Sequence, residues 1–316
     1  MKVTAVVFAY NQAAFIRQAL DSVLAQQTTF EFELLIVEDR STDGTREITL
    51  EYSVANPDKI RLLLSDVNMG ACLVAARAIS AAQGDYIAFL DGDDYWTSPA
   101  KLQKQVEFMD THPDHSICWH HLEYVDVEGE RLNHQIAHHS RTSWSLEDIL
   151  EGVQISTCAI LLRRSMLPPL PDWFFQCACA DFVVAVLCLE NGPAGYLDET
   201  LGAWRHNPKG FYSSRTSREQ ELLFQYTLRK VYRHFTPQRQ AELARHFKRR
   251  WVSMAVQQRS SGDVLASRQS ARMGLEDFPH DVRLQLLAHA PILYAPLRGA
   301  WLAWKHLFIR NVQDEA

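Results

Sequence analysis

Cysteine is scarce in this chain: six in 316 residues, at 72, 118, 158, 177, 179 and 188, with no C-x-x-C spacing. That excludes a disulfide-stapled scaffold and a zinc ribbon. Thirteen glycines and twelve prolines are too few for a collagenous or low-complexity chain. No uncharged run reaches the roughly 18 residues that span a bilayer. The nearest, Ala288 to Ile309, is broken by Pro291, Pro296, Arg298, Gly299 and Lys305. A basic excess is missing too, because 32 Lys and Arg face 38 Asp and Glu for a net charge of −6. That balance argues against a nucleic-acid partner. The opening MKVTAVVFAYNQ holds only a short apolar run and no small-residue cleavage site, so it reads as a strand and not as a signal peptide. The expectation is a reduced, cytoplasmic protein in which Cys177 and Cys179 are structural thiols, the metal-ligand reading of that pair being the weaker one.

What is present is the makings of a core. Hydrophobic residues supply 47% of the chain and charged residues 22%, enough for one large domain or two smaller ones. The first hundred residues alternate apolar strands with amphipathic helical patterns, the mark of β-α-β units and a parallel sheet. Strands are expected at 3–8, 34–37, 61–64 and 86–90. Helices are expected at 13–26, from the caps Ser41-Thr42-Asp43 toward Val54, at 71–82 with Gly84 as C-terminal cap, and from Pro99 to Thr111. Beyond these lie β-like runs at 117–127, 155–162 and 195–205. Ser145-Leu-Glu-Asp148 is a capping box, and 181–191 reads as a buried helix. From about Ser214 the pattern is helical. The expected organisation is a catalytic domain over 1–214 and a helical extension over 215–316.

In an open α/β sheet, ligands bind outside the carboxyl ends of the strands. Three such ends carry polar clusters: Tyr10-Asn11, Glu38-Asp39-Arg40-Ser41 and Asp91-Gly92-Asp93-Asp94. If the last is extended, Asp91 and Asp93 face the same way about 7 Å apart. Two carboxylates so placed repel unless a cation lies near them. Hard oxygen ligands suit Mg²⁺ or Mn²⁺, which would neutralise a leaving diphosphate. The plainer reading is an Asp-rich surface turn.

Several segments stand together in order and spacing: FAYNQAAFIRQALDSVLAQ, LLIVEDRSTDGT, NMG followed by Arg77, and GDYIAFLDGDDYWTSPAKLQKQVEF. They continue in SLEDILEG, ISTCAILLRRSM and CADFVVAVLCLENGPAGYLDETLGAWRHNPKG. Over residues 1 to about 212 the chain resembles the family 2 glycosyltransferases. The resemblance implies an α/β fold of GT-A type, a Rossmann-like, mixed but mainly parallel sheet flanked by helices, here with an all-α C-terminal extension. It implies an inverting transfer from a nucleotide-diphosphate sugar, with UDP as the expected nucleotide, to a hydroxyl of a glycan or lipid-linked acceptor in bacterial surface polysaccharide synthesis. By position, Tyr10 and Asn11 belong to the donor pocket, and Asp39 accepts from the base. Glu38 stands where the family usually has Asp, and Arg40 where a small residue is common. Arg77 falls near the donor, a helix-surface ion pair being its other reading. Asp91 and Asp93, flanking Gly92, match the D-x-D metal motif, with Asp93 the direct ligand; Asp94 falls on the sugar or beside the ligands. The cofactor implied is Mn²⁺ or Mg²⁺. Asp181 matches the family's catalytic base, its other reading being a helix N-cap.

The pattern departs from the family after Trp204-Arg205. Relatives often have Arg, one residue, then His; here Asn207 takes the aligned place and His206 comes one residue early. Arg205 keeps a charge that can face phosphate, and the resemblance does not decide between His206 and Asn207. The adjacent histidines His120-His121 and His138-His139 point opposite ways along extended chain, so neither pair alone makes a metal site. Two competing functions differ in their expected features. A nucleotidyltransferase would carry a Gly-rich basic phosphate loop near the first strand, which FAYNQAAF lacks. A non-catalytic sugar-nucleotide binder would not need Asp181.

Charge divides unevenly. Residues 215–316 hold 17 basic and 9 acidic side chains, net +8, against 15 and 29 before them, net −14. The end, Trp301 to Arg310, is basic and aromatic, as suits an anionic membrane interface. The competing readings are a helical cap on the catalytic domain and a homodimer contact. Deleting residues 291–316 separates them: a membrane-contacting tail predicts loss of co-sedimentation with anionic liposomes, and unchanged sedimentation would sink that reading.

Overall fold

The computed structural model describes residues 1–133, 141–210 and 213–289. His138-His139 and the Trp301–Arg310 end therefore lie outside the described residues. In chain order the elements begin β1 (Val3–Ala9), α1 (Ile16–Leu24), β2 (Phe32–Glu38), α2 (Thr45–Ala55), β3 (Ile60–Leu64), α3 (Ala71–Ala81) and β4 (Tyr86–Asp91). They continue with β5 (Tyr95–Trp96), α4 (Lys101–Thr111), β6 (Ile117–Val125), β7 (Ser143–Trp144), α5 (Leu146–Glu151), β8 (Leu161–Arg163), α6 (Ala180–Leu189) and β9 (Ala194–Arg205). Among the described residues four helices follow: α7 (Ser217–His234), α8 (Pro237–Ser260), α9 (Val264–Asp277) and α10 (Val282–His289).

The strands form one mixed sheet in the order β3-β2-β1-β4-β8-β6-β9-β5, with β7 paired to β9. Pairing is parallel through β3, β2, β1 and β4 and between β6 and β9, and antiparallel where β8 enters. β1 is central. Val3, Ala5, Val6 and Val7 have no exposed surface, as expected of a parallel strand covered on both faces, which needs an unbroken apolar run. α1 buries Ile16, Ala19, Leu20 and Val23, the i, i+3, i+4, i+7 stripe of a helix lying on a sheet. α6 buries every residue from Val183 to Leu189, so it is an interior helix.

Two expectations need correction. The run 155–162 is not one strand: Thr157–Ala159 make a 3₁₀ turn, and only Leu161–Arg163 pair in the sheet. The carbonyl of Cys158 instead accepts the Trp96 indole N–H (3.1 Å), and that of Ala159 accepts the Gln105 amide (2.9 Å). Backbone groups already satisfied by side chains have no call for a ladder. Gly84, read as a helix cap, serves a different purpose. α3 closes at Ala82 in extended conformation, while the Gly84 N–H donates to the Thr4 hydroxyl (2.9 Å). A Cβ there would sit 2.5 Å from the Thr4 backbone nitrogen. Close approach to β1, not a left-handed backbone, requires this glycine.

The chain divides into two compact units, Met1–Ile149 with Val153–Val231, and Leu150–Gly152 with the chain from Tyr232 onward. In the second, α8 starts at a Thr236 cap that accepts the Arg239 N–H, with Pro237 at the first helical position. Its core gathers Leu243, Phe247, Trp251, Ala271, Leu284 and Leu287, and Gly274 lets α9 pass close to Trp251 and Leu284. No helix among the described residues is long and apolar enough to cross a membrane. The sharpest test of the packing is at β1: Gly84→Ala should destabilise the protein by about 2 kcal/mol or more, as overpacking against backbone does, read as a lower urea midpoint with unchanged slope.

Candidate active site

The carboxylate cluster begins where β4 ends. Asp91–Asp94 form a tight turn, closed by the Asp94 N–H donating to the Asp91 carbonyl (3.0 Å) and tied to β1 by the Gly92 N–H on the Phe8 carbonyl (2.9 Å). The expected extended alternation of Asp91 and Asp93 is thus corrected. The chain must reverse here so that β5 can pair with β9, and the turn gathers the carboxylates. A Cβ on Gly92 would lie 2.5 Å from Gln12 Oε1, 2.7 Å from Ile16 Cδ1 and 2.9 Å from the Phe8 carbonyl. Only glycine fits.

Asp93 and Asp94 each have holders of their own. Asp93 accepts the Gln12 amide on Oδ1 (2.9 Å) and the Asn207 amide on Oδ2 (3.0 Å). Asp94, 3% exposed, accepts the Arg205 backbone N–H (2.8 Å) and the Cys158 thiol. The Arg205 guanidinium donates to the Asp93 carbonyl (2.9 Å), the Asp126 carbonyl (2.9 Å) and Gln18 Oε1 (2.7 Å), and lies over the rings of Phe15 and Tyr95. At 4% exposure it is a buried strut for the turn. The expected open phosphate contact at Arg205 is corrected accordingly, since its donors point inward.

Asp181 completes the cluster from the first turn of α6. It is not that helix's N-cap, which is Cys179. Its Oδ1 accepts the Phe182 N–H (2.8 Å), and its Oδ2 accepts the Thr157 hydroxyl (3.2 Å). Thr157 also bonds to Asp91, so one hydroxyl stands between the two carboxylates. Withdrawal from water and the charges of Asp93 and Asp181 push Asp91 up to about 8. Burial raises Asp93 and Asp181 as well, and holds Asp94 well above the ordinary range. Among the described residues no three or more His, Cys, Asp or Glu side chains converge as a complete metal cage. Two mutually repelling carboxylates on one turn nonetheless fit a hard divalent cation that shares its shell with substrate oxygens and water. Its arrival would displace the proton Asp91 holds.

At the other end of the candidate site, Tyr10 follows β1 and is 42% exposed. Asn11, with φ at 52°, accepts the Thr42 N–H (2.8 Å) and donates its own N–H to the Ser41 hydroxyl (3.0 Å), joining the loops after β1 and β2. Asp39 accepts the N–H groups of Met69 (2.7 Å) and Gly70 (2.9 Å). One lone pair on each oxygen remains. Glu38 has no exposed surface; its carboxylate takes the Ser41 N–H and Arg46, both at 2.5 Å. It shapes the loop that carries Asp39 instead of facing a ligand. Arg77 donates to the Ser65 hydroxyl (3.0 Å) and the Leu64 carbonyl (2.9 Å), so it caps the end of β3 and does not form the surface ion pair.

Three residues were missed or left open by sequence reasoning. Gln12 and Thr157 have no distinctive spacing, since each reaches its carboxylate across the fold. Asn207 is the member of the His206-Asn207 pair that meets Asp93, while His206 is exposed beside Trp204. His120 and His121 lie at a register shift of β6 against β9. Their rings diverge, His120 to the His121 carbonyl (2.7 Å) and His121 to Tyr196 and Asp198. All six cysteines are free thiols.

Comparison with known proteins places the chain in a family and a fold. The family model described as "Glycosyl transferase family 2" matches residues 4–167. An uncharacterized protein of Mycobacterium tuberculosis, Rv1520, is 34% identical over 205 residues, 65% of this chain and 59% of its own length. TuaG of Bacillus subtilis, whose name places it in teichuronic acid biosynthesis as a glycosyltransferase, is 34% identical over 157 residues, 49% of this chain and 59% of its own. The chain thus spans under two thirds of these relatives. Among solved structures, S. aureus TarS 1-349 in complex with UDP-GlcNAc superposes with a TM-score of 0.59 at 16% identity, covering 86% of this chain and 81% of that one. The mannosyltransferase PcManGT of Pyrobaculum calidifontis, in complex with GDP-Man and Mn²⁺, reaches 0.61 at 17% identity, covering 100% and 88%. At such identities the likeness is one of fold.

The electrostatics give a stability test. Asp91 holds its proton more tightly folded than unfolded, so its contribution is fully present below pH 3.8 and is lost as pH rises toward about 8. In metal-free buffer, denaturant titrations should show the native protein weakening across that window and Asp91→Asn weakening less. Parallel pH profiles would contradict the burial of this carboxylate.

Proposed function

The chain belongs to glycosyl transferase family 2, and from that premise we propose an inverting, cation-dependent transfer of a sugar from a nucleotide-diphosphate donor to an acceptor hydroxyl. The observation that carries the reading is Asp91 set within reach of the charges of both Asp93 and Asp181, with Thr157 hydrogen-bonded to Asp181 and Asp93 held from both sides. Tyr10 offers an exposed ring for the base, and Asp39 two acceptor lone pairs for a base N–H such as that of uracil. Asp93 and Asp91 are the residues to hold Mn²⁺ or Mg²⁺, which when bound neutralises the diphosphate as it departs.

Asp181 takes the hydroxyl proton of the acceptor as the acceptor oxygen bonds to the anomeric carbon and the bond to the diphosphate oxygen breaks. A raised pKa suits it to that task, because a stronger base accepts the proton more readily. Thr157 orients the Asp181 carboxylate by its hydrogen bond. Asp94, locked to Arg205, sets the turn and with it the distance between donor and base. A glycan or lipid-linked acceptor in bacterial surface polysaccharide synthesis is supported by the teichuronic acid name of TuaG, and a uridine donor by the ligand of TarS.

Calorimetric titration with UDP, with and without Mn²⁺, tests the reading, followed by donor-sugar hydrolysis. Mn²⁺ should tighten UDP binding. Asp93→Ala should abolish both that enhancement and turnover. Asp181→Asn should keep UDP affinity and lose about 10²–10⁴-fold in turnover. UDP and GDP binding that ignores the cation would overturn the proposal.

A further inference from the structure

Gln12 touches both ends of the donor site. Its Oε1 accepts the Tyr10 N–H (3.2 Å), and its Nε2 donates to Asp93 Oδ1 (2.9 Å). Only one orientation of the amide satisfies both neighbours, since an N–H needs an acceptor and a carboxylate takes only donors. The missing side chain of Gly92 makes the room. The backbone of Gln12 is anchored independently: its N–H donates to the Thr45 hydroxyl (2.7 Å), and its carbonyl accepts the Phe15 and Ile16 N–H groups (both 2.9 Å). The loop therefore does not need the side chain for its shape. What the side chain adds is a bridge.

The geometry points to Gln12 as a positioning residue that couples occupancy of the base pocket at Tyr10 to the affinity of Asp93 for a divalent cation. This rests on the donor-site reading above. A nucleoside seated on the exposed Tyr10 ring fixes the backbone N–H beside it. That N–H fixes the Gln12 carbonyl end, and the opposite amide end then fixes the rotation of the Asp93 carboxylate. A carboxylate held in one rotamer presents its free lone pairs in one direction, so a cation forgoes less freedom on binding there. The effect is reciprocal: a cation that fixes Asp93 equally favours the nucleoside.

A nucleoside without phosphate isolates this path, because none of its atoms carries the anionic oxygens that would otherwise reach the cation. Mn²⁺ affinity is measured by the paramagnetic resonance signal of free Mn²⁺, with and without saturating uridine or guanosine, in the native chain and in Gln12→Met. Methionine keeps length and bulk while removing both polar ends, and thermal unfolding checks that it stays folded. The native chain should bind Mn²⁺ about fivefold more tightly with the nucleoside present. In Gln12→Met the ratio should fall to one while the cation still binds. A native ratio of one, or coupling that survives in Gln12→Met, overturns the inference even where the variant loses stability, since a merely structural glutamine would leave the ratio alone. If neither nucleoside nor Mn²⁺ binds the native chain, the donor-site reading fails and this inference with it.

Discussion

Like charges held together in a partly buried cluster are the constraint on which the site depends. Asp91, Asp93 and Asp94 stand on one chain reversal, and Asp181 is brought against them from α6. Left to themselves, such groups would disperse or take up protons. The surrounding structure prevents the first by giving Asp93, Asp94 and Asp181 donors of their own. Arg205 is the main brace. It serves Asp94 through its backbone and the Asp93 carbonyl through its guanidinium, so a single residue at the end of β9 fixes the turn from behind. The protons remain: burial first, and then the charges of Asp93 and Asp181, raise Asp91, and a cation would relieve the second of these.

The scaffold around that turn converts sheet order into proximity. β1 lies between β2 and β4, so the loops after all three open on the same edge. Glu38 and Arg46 fasten one of those loops from inside. Breaking a buried pair of this kind typically costs about 3–5 kcal/mol, because the surviving charge is left uncompensated. Asn11 links the first two loops and Gln12 links the first to the third. The mouth of the site is thus a set of side-chain bridges across rigid strand ends, with Tyr10 left largely open to solvent.

Much of this was legible in the residues. The unbroken apolar run of β1 and the amphipathic stripe of α1 follow from burial on two faces and on one, and the periodicities appear directly in the chain. The capping box at Ser145 is real: Ser145 and Asp148 exchange hydrogen bonds as the pattern implies. Asp91, Asp93 and Asp181 stood out through the resemblance to family 2, and the fold sets the three near one another. The residues that hold them did not stand out. Gln12 and Asp93 are 81 positions apart, and Asn207 and Asp93 are 114 apart. A pairing over such separations leaves no local period for a single sequence to display.

The same division accounts for the misreadings. Glu38 and Arg205 were expected at the donor site from the strand ends they close and from the resemblance, and Arg77 from the resemblance alone. Which way a charged side chain turns is decided by the partners it meets, and those partners are Arg46, Ser65 and Asp93. Residue types and their order in this chain by themselves determined the α/β alternation, the family and the candidate carboxylates of the site. Tertiary structure alone decided which charges are struts and which remain open to a ligand. Burial and hydrogen-bond partnership belong to the folded neighbourhood, and a residue's type does not contain them.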